Sequence, residues 1–208
     1  MSMLTTWGYF ITDELLTTLP DIITETEFNT ATGGRYTGDT RISPGITAAS
    51  WALRNYCGWH LSGVYGCGIS WNAANRGIVR RGSDLLIQLP ARAVAEVNTV
   101  SINGEDPTDD WWYETNGLLR VFDNRLTSKR DYIEVAYSAG VTGDFASVIK
   151  DLCVQMVTLN LAKSYGVTSE AAGGVSITYN GSWTNGSFDS VIQNNAGLLA
   201  PYRLEGVF

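Results

Sequence analysis

The segment "ISPGITAASWALRNYCGWHLSGVYGC", residues 42–67, carries the only histidine of the chain and two of its three cysteines. It is either a cluster of metal-binding or catalytic side chains or the packed end of a helix. Ser43 offers an N-cap and Pro44 sits where a helix can start. Ile46, Ala49, Leu53, Tyr56 and Cys57 then follow one helical face, and Gly58 supplies a stop. Trp51 falls on the opposite side, beside Asn55, where an apolar ring is covered by another element or kept for a partner. The ligand reading is weaker. Cys57, His60 and Cys67, spaced C-x2-H-x6-C, lack the paired knuckles of a thiolate site, and only Cys153 or a carboxylate is left as a fourth ligand. Cys57 and His60 are therefore read as packing residues, with no metal and no cofactor.

Upstream, residues 1–43 read as an N-terminal arm. A short helix is expected around Thr12–Leu19, stopped by Pro20, and residues 20–43, rich in Thr, Gly and Asp, as loop or extended chain. Downstream, "GIVRRG", "DLLIQLP", "VNTVSING", "GLLRVF" and "DYIEVAYSAG" are short apolar runs between turn residues. Val97, Val100 and Ile102, and then Ile133, Val135 and Tyr137, mark half-buried strands. Asn103–Gly104 and Asn116–Gly117 fit tight turns. Residues 69–138 thus form an antiparallel β domain inserted into a small helical core of residues 44–68 and 139–166.

The second core helix is expected from Phe145 to Ser164, capped by Asp144 and ended by Gly166. Phe145, Val148, Leu152, Met156 and Leu159 form one apolar stripe, and Val154, Val157 and Leu161 a second. Only Ser147, Asp151, Gln155 and Thr158 leave a polar strip. A helix apolar on two sides is buried on two sides, and twenty residues run roughly 30 Å. The one other strong helix, Ile46–Cys57, offers too little cover, so the β domain, a neighbouring subunit or both are expected to supply it. Residues 167–208 read as an extended C-terminal arm, polar through "NGSWTNGS" and apolar again at "GLLAPYRLEGVF", as a docking tail is. The fold class is α+β.

Composition narrows the function. The 208 residues include 14 basic and 21 acidic side chains, a formal charge of −7. Nucleic-acid affinity comes largely from neutralised phosphates, so the balance speaks against a basic nucleic-acid binder but not against an acidic surface past which DNA slides. Three cysteines imply no disulfide framework. The N-terminus lacks a signal-peptide pattern, and no unbroken apolar run approaches a membrane span. The Asn180 and Asn185 sequons carry no weight without secretion.

Catalytic patterns are thin. His60 would have to serve any Ser/His or Cys/His site, and no nucleophile elbow, H-E-x-x-H or phosphate loop occurs. Asp109–Asp110 and Glu25/Glu27 are paired acids of the type a glycosidase needs. Adjacent acids in a turn such as "EDPTDDWWYE" are far more often a solvated loop. Trp111 and Trp112 stack on a sugar or pack into the β domain; alternation turns one of them inward, so core packing is the stronger reading.

The order of these parts resembles the head–tail connector (adaptor) proteins of long-tailed bacteriophages. The residues that carry it are "ASWALRNYCGWHL" at 49–61, "IEVAYSAG" at 133–140 and "GLLAPYRL" at 197–204, within a similarity running from Pro44 to Arg203. The resemblance implies a structural, non-enzymatic virion protein. It would form a homo-oligomeric ring, expected to be dodecameric, beneath the portal protein. It would extend the DNA channel and receive stopper or tail-completion proteins, without membrane contact. It further implies portal docking by Leu198, Leu199, Pro201, Tyr202 and Arg203. Two-sided packing in a ring would place Trp51, Val154, Val157 and Leu161 between subunits. The long residues 1–43 and the larger insertion depart from small family members. Two rivals stand beside it: a carbohydrate- or cell-wall-binding β module using Trp111, Trp112 and Trp183, and a hydrolase using Asp109 or Glu114.

Overall fold

The computed structural model describes residues 3–13, 16–82, 84–107, 110–122, 125–126, 128–162, 169–172, 175–178 and 186–204, with backbone alone at 169–172, 175–178, 186 and 187. Asp109, Ser164, Gly166, Asn180, Trp183 and Asn185, singled out above, lie outside the described residues. The fold is α+β. The chain divides into two compact units, residues 1–20, 54–146 and 200–208 in unit 1 and residues 21–53 and 147–199 in unit 2.

Unit 1 holds β1 (Met3–Leu4), β2 (Phe10–Ile11), β3 (Tyr65–Asn72), β4 (Ile78–Arg81), β5 (Asp84–Gln88), β6 (Val94–Ile102), β7 (Trp111–Tyr113), β8 (Leu118–Phe122) and β9 (Tyr132–Ala139). They make two antiparallel sheets, ordered β1-β2-β3-β9-β6 and β4-β5-β8-β7. The expected strands are all present. Ile133, Val135, Tyr137 and Ala139 of β9 alternate inward, as a half-buried strand requires. In the second sheet Leu85 lies opposite Val121 and Ile87 opposite Leu119, and all four are buried.

In β6 the buried residues Val94, Val97 and Val100 are three apart, a spacing no regular strand gives. Register shifts between Val94 and Glu96 and between Val97 and Thr99 account for it. Each inserts an extra residue, Ala95 and then Asn98, and the inward face resumes one position late. The β7–β8 turn closes with Glu114 N donating to Leu118 O at 2.8 Å and Gly117 at φ +88°. A side chain at Gly117 would also meet the Ala91 carbonyl at 2.1 Å.

Two expectations for residues 1–43 fail. No helix forms over Thr12–Leu19 among its described residues; the regular structure of the N-terminal stretch lies before it, where β1 pairs with β2 and β2 adds to β3 through Phe10–Gly68 and Ile11–Cys67. Residues 20–43 are not simply loop. They contain α1 (Glu25–Ala31), whose cap Thr24 and third residue Glu27 form a reciprocal capping box.

Unit 2 is built from α1, most of α2 (Ile42–Cys57) and α3 (Gly143–Ala162), the hairpin of β10 (Ser169–Ala172) and β11 (Val175–Thr178), α4 (Gly186–Asn194) and α5 (Ala196–Leu199). The turn after α2 is the expected one, with Gly58 at φ +79° and its N–H on Arg54 O at 2.7 Å. Helices α2 and α3 pack antiparallel. Ser50 Oγ and Cys153 Sγ are 4.0 Å apart, and a Cβ at Gly45 would sit 3.4 Å from Val157 Cγ1. By length and composition α3 is apolar enough to cross a membrane, which its scattered polar residues disguise. Ile149, Leu152, Cys153, Met156, Val157 and Leu161 are nevertheless buried in this chain, and Lys150 pairs with Glu27 at 2.6 Å, as in a core helix.

The C-terminal segment also departs from expectation. Residues 186–199 are helical rather than extended, with Val191, Ile192 and Leu199 buried. Phe188, Val191 and Ile192 stand at i, i+3 and i+4, so the periodicity was present inside a polar composition.

Candidate functional site

His60 lies at the centre of a polar knot in unit 1, fully buried. Its Nε2 is 2.9 Å from the Ala139 carbonyl, which can only accept, so Nε2 carries the proton. Nδ1 therefore accepts from the Tyr9 hydroxyl at 2.7 Å, and that hydroxyl in turn accepts from the His60 backbone N–H at 2.9 Å. Arg54 Nε donates to His60 O at 2.9 Å, and its Nη2 donates to Pro20 O. Burial lowers the imidazole pKa to about 4 and raises the Tyr9 phenol. Burial likewise pushes the Cys57 and Cys67 thiols up to about 12, far from the thiolate a metal or a nucleophile needs. Among the described residues no three His, Cys, Asp or Glu side chains gather as ligands would. With both ring nitrogens engaged by the protein, His60 ties the N-terminal strands to the end of β9.

The acids also have local partners. Glu27 is the second half of the α1 cap, its carboxyl held below the ordinary range chiefly by the Lys150 ammonium. Glu114 accepts from Asn116 Nδ2 at 2.7 Å in the β7–β8 turn.

The C-terminal docking candidates fall into two groups. In unit 1 the segment 200–204 is bound to its own chain. Trp59 Nε1 donates to Tyr202 O at 2.6 Å, and Leu204 N donates to Cys57 O at 2.9 Å. The Arg203 guanidinium lies 5.0 Å from the Tyr56 ring centroid. Tyr202 stacks on Phe145, a partner that the helical periodicity of Phe145 had pointed elsewhere. Pro201 and Arg203 are exposed. In unit 2 Leu199 is fully buried, whereas Leu198 is 52% exposed.

The four subunit-interface candidates differ in the same way. Trp51 is 36% exposed and Val154 half-buried, whereas Val157 and Leu161 are buried in the single chain. Val157 packs where Gly45 lets α2 approach, so these two, like Leu199, offer no free area to a partner in this conformation. Leu159 is the residue that sequence reasoning misplaced. It ends the stripe of Leu152 and Met156, yet is 44% exposed.

Trp51, Leu159 and Leu198 are thus large apolar side chains exposed on helices of unit 2. The sequence model of head completion proteins matches residues 21–194. This chain belongs to the head completion protein family. It is a structural protein of the phage virion, at the head and neck. Head completion proteins assemble with phage head components and are structural rather than enzymatic. No curated protein matches the chain significantly.

Proposed function

We propose that this head completion protein acts as a head–tail connector, forming a ring beneath the portal, extending the DNA channel and receiving a stopper or tail-completion protein. The exposure of Trp51, Leu159 and Leu198 carries this reading, since a ring neighbour or the portal would remove that apolar surface from water. In it, Trp51 and Val154 meet the next subunit, with Val157 and Leu161 packed beneath them. Leu198, Pro201 and Arg203 meet the portal, with Leu199 and Tyr202 holding the segment in place. A formal charge of −7 suits a conduit, because repulsion keeps DNA from adhering to the wall.

The test is capture of the purified chain by its portal. Removing residues 200–208 would break the bonds of Tyr202 and Leu204 to unit 1, so the informative variant is Leu198→Asp, at an exposed position. Portal capture should drop about tenfold or more. Capture equal to wild type removes the docking assignment.

A further inference from the structure

An open cleft of about 540 Å³ lies in unit 1 beside the indole of Trp111. Its origin is the irregular outer edge of β6. Near Val94 this edge is tied to the β7–β8 hairpin, where Val94 N donates to Thr115 O at 2.9 Å and Tyr113 Oη donates to Ala95 O at 3.3 Å. Farther along, past the bulge at Asn98, the two edges part. The far end is closed where Ile102 N donates to Glu105 O at 2.8 Å. Asn98 and Thr99 line one wall, and Asp106, Pro107, Asp110 and Trp111 the other.

We infer that this cleft binds a neutral sugar residue, its C–H face on Trp111 and its hydroxyls on Asp106, Asp110, Asn98 and Thr99. The chemistry of the walls selects that class. An indole edge or face takes the apolar side of a pyranose, and carboxylates and amides take the hydroxyl rim. A purely apolar ligand would strip water from two carboxylates without replacing it. A phosphate or uronate would meet the same two acids as like charges. A basic peptide is the other class that acids attract. However, Arg125 already places a cation in this connection, donating to the Glu105 carboxylate at 2.8 Å and to Asp106 O. Asn98 and Thr99 also suit hydroxyls better than ammonium groups, since each both donates and accepts. Trp112, on the opposite face of β7 and 40% exposed, does not line the cleft. The inference is independent of the connector reading.

The purified full-length chain is titrated by saturation-transfer NMR and calorimetry with glucose, galactose, mannose and N-acetylglucosamine and their disaccharides, with glucuronate, and with tetralysine. At least one neutral saccharide binds, and glucuronate does not. Trp111→Ala and, at an exposed position that spares the sheet, Asp110→Ala each weaken binding about fivefold or more, whereas Trp112→Ala stays within about twofold. Circular dichroism checks that each variant is folded, and Asp110→Ala decides if Trp111→Ala is not. Binding by no neutral saccharide overturns the inference. So does unchanged affinity in Asp110→Ala, or binding of tetralysine alone.

Discussion

Tyr202 lies flat against Phe145, their ring centroids 3.7 Å apart and their planes 19° from parallel. The pair joins the C-terminal segment to the first turn of α3 within unit 1, and the Trp59 indole fixes the same residue through its carbonyl. A segment expected to wait for a partner is already ordered on its own chain. Tyr202→Ala and Phe145→Ala should each lower stability by about 2–4 kcal/mol. The double variant should fall short of the sum by about 1 kcal/mol, the coupling of a stacked pair. Urea unfolding followed by fluorescence measures both, and strict additivity would mean the stack contributes nothing beyond burial.

His60 makes stability depend on pH between the ordinary carboxylate range and neutrality. Its pKa falls from 6.5 to about 4 on folding. Between these values the unfolded chain holds a proton that the folded chain lacks, so stability rises with pH through the window and is lost on acidification. The slope between pH 5.5 and 6 should be about 1.1 kcal/mol per pH unit. Denaturation midpoints at closely spaced pH values measure it, and a flat profile there would mean that His60 is solvated.

Removing the Tyr9 hydroxyl leaves two buried groups of His60 without a partner, the backbone N–H and Nδ1. Tyr9→Phe should cost about 2–4 kcal/mol although it deletes one atom, since each orphaned group carries its desolvation penalty. A loss below about 0.5 kcal/mol in urea unfolding would show that water replaces the hydroxyl.

All three cysteines are buried, and burial holds the Cys57 and Cys67 thiols well above their ordinary range. A thiol-exchange reagent at pH 8 should therefore label the native chain slowly and all three positions at once in guanidinium. Fast labelling of Cys57 in the native chain would place the α2 terminus in solvent.

The α1 cap is a local device. Thr24 Oγ1 accepts from Glu27 N at 3.1 Å, and Glu27 Oε2 accepts from Thr24 N at 2.7 Å. Thr24→Ala should cost about 1 kcal/mol. Lys150→Ala, which breaks an ion pair with both partners over two-fifths exposed, should cost under about 1 kcal/mol and less in high salt. Thermal melts of the two variants at low and high salt separate the cap from the pair.

What could be read without coordinates is what short-range chemistry decides. The β5, β8 and β9 strands were legible because their burial alternates with the backbone pleat, and the end of α2 because Gly58 supplies a left-handed stop. The capping box at Thr24–Glu27 and the Phe188–Val191–Ile192 period were equally local, so α1 and α4 were readable and were passed over for their polar composition. Strand β3 was not readable in the same sense. Its glycines dilute the pattern, and at Gly66 a side chain would meet Thr12 Oγ1 at 2.5 Å, a neighbour brought in from the far N-terminus.

The side chains left uncovered belong to the tertiary structure alone. The helical period puts Leu159 on one stripe with Met156 and Val157 on another, yet Leu159 is exposed while Val157 is buried where Gly45 lets α2 approach. The sequence by itself determined the strand alternation, the helix ends and the absence of a catalytic motif, because these depend on residues within a few positions of one another. Only the folded chain decided which apolar faces it covers for itself, because cover is supplied by residues distant in sequence whose approach no local pattern encodes.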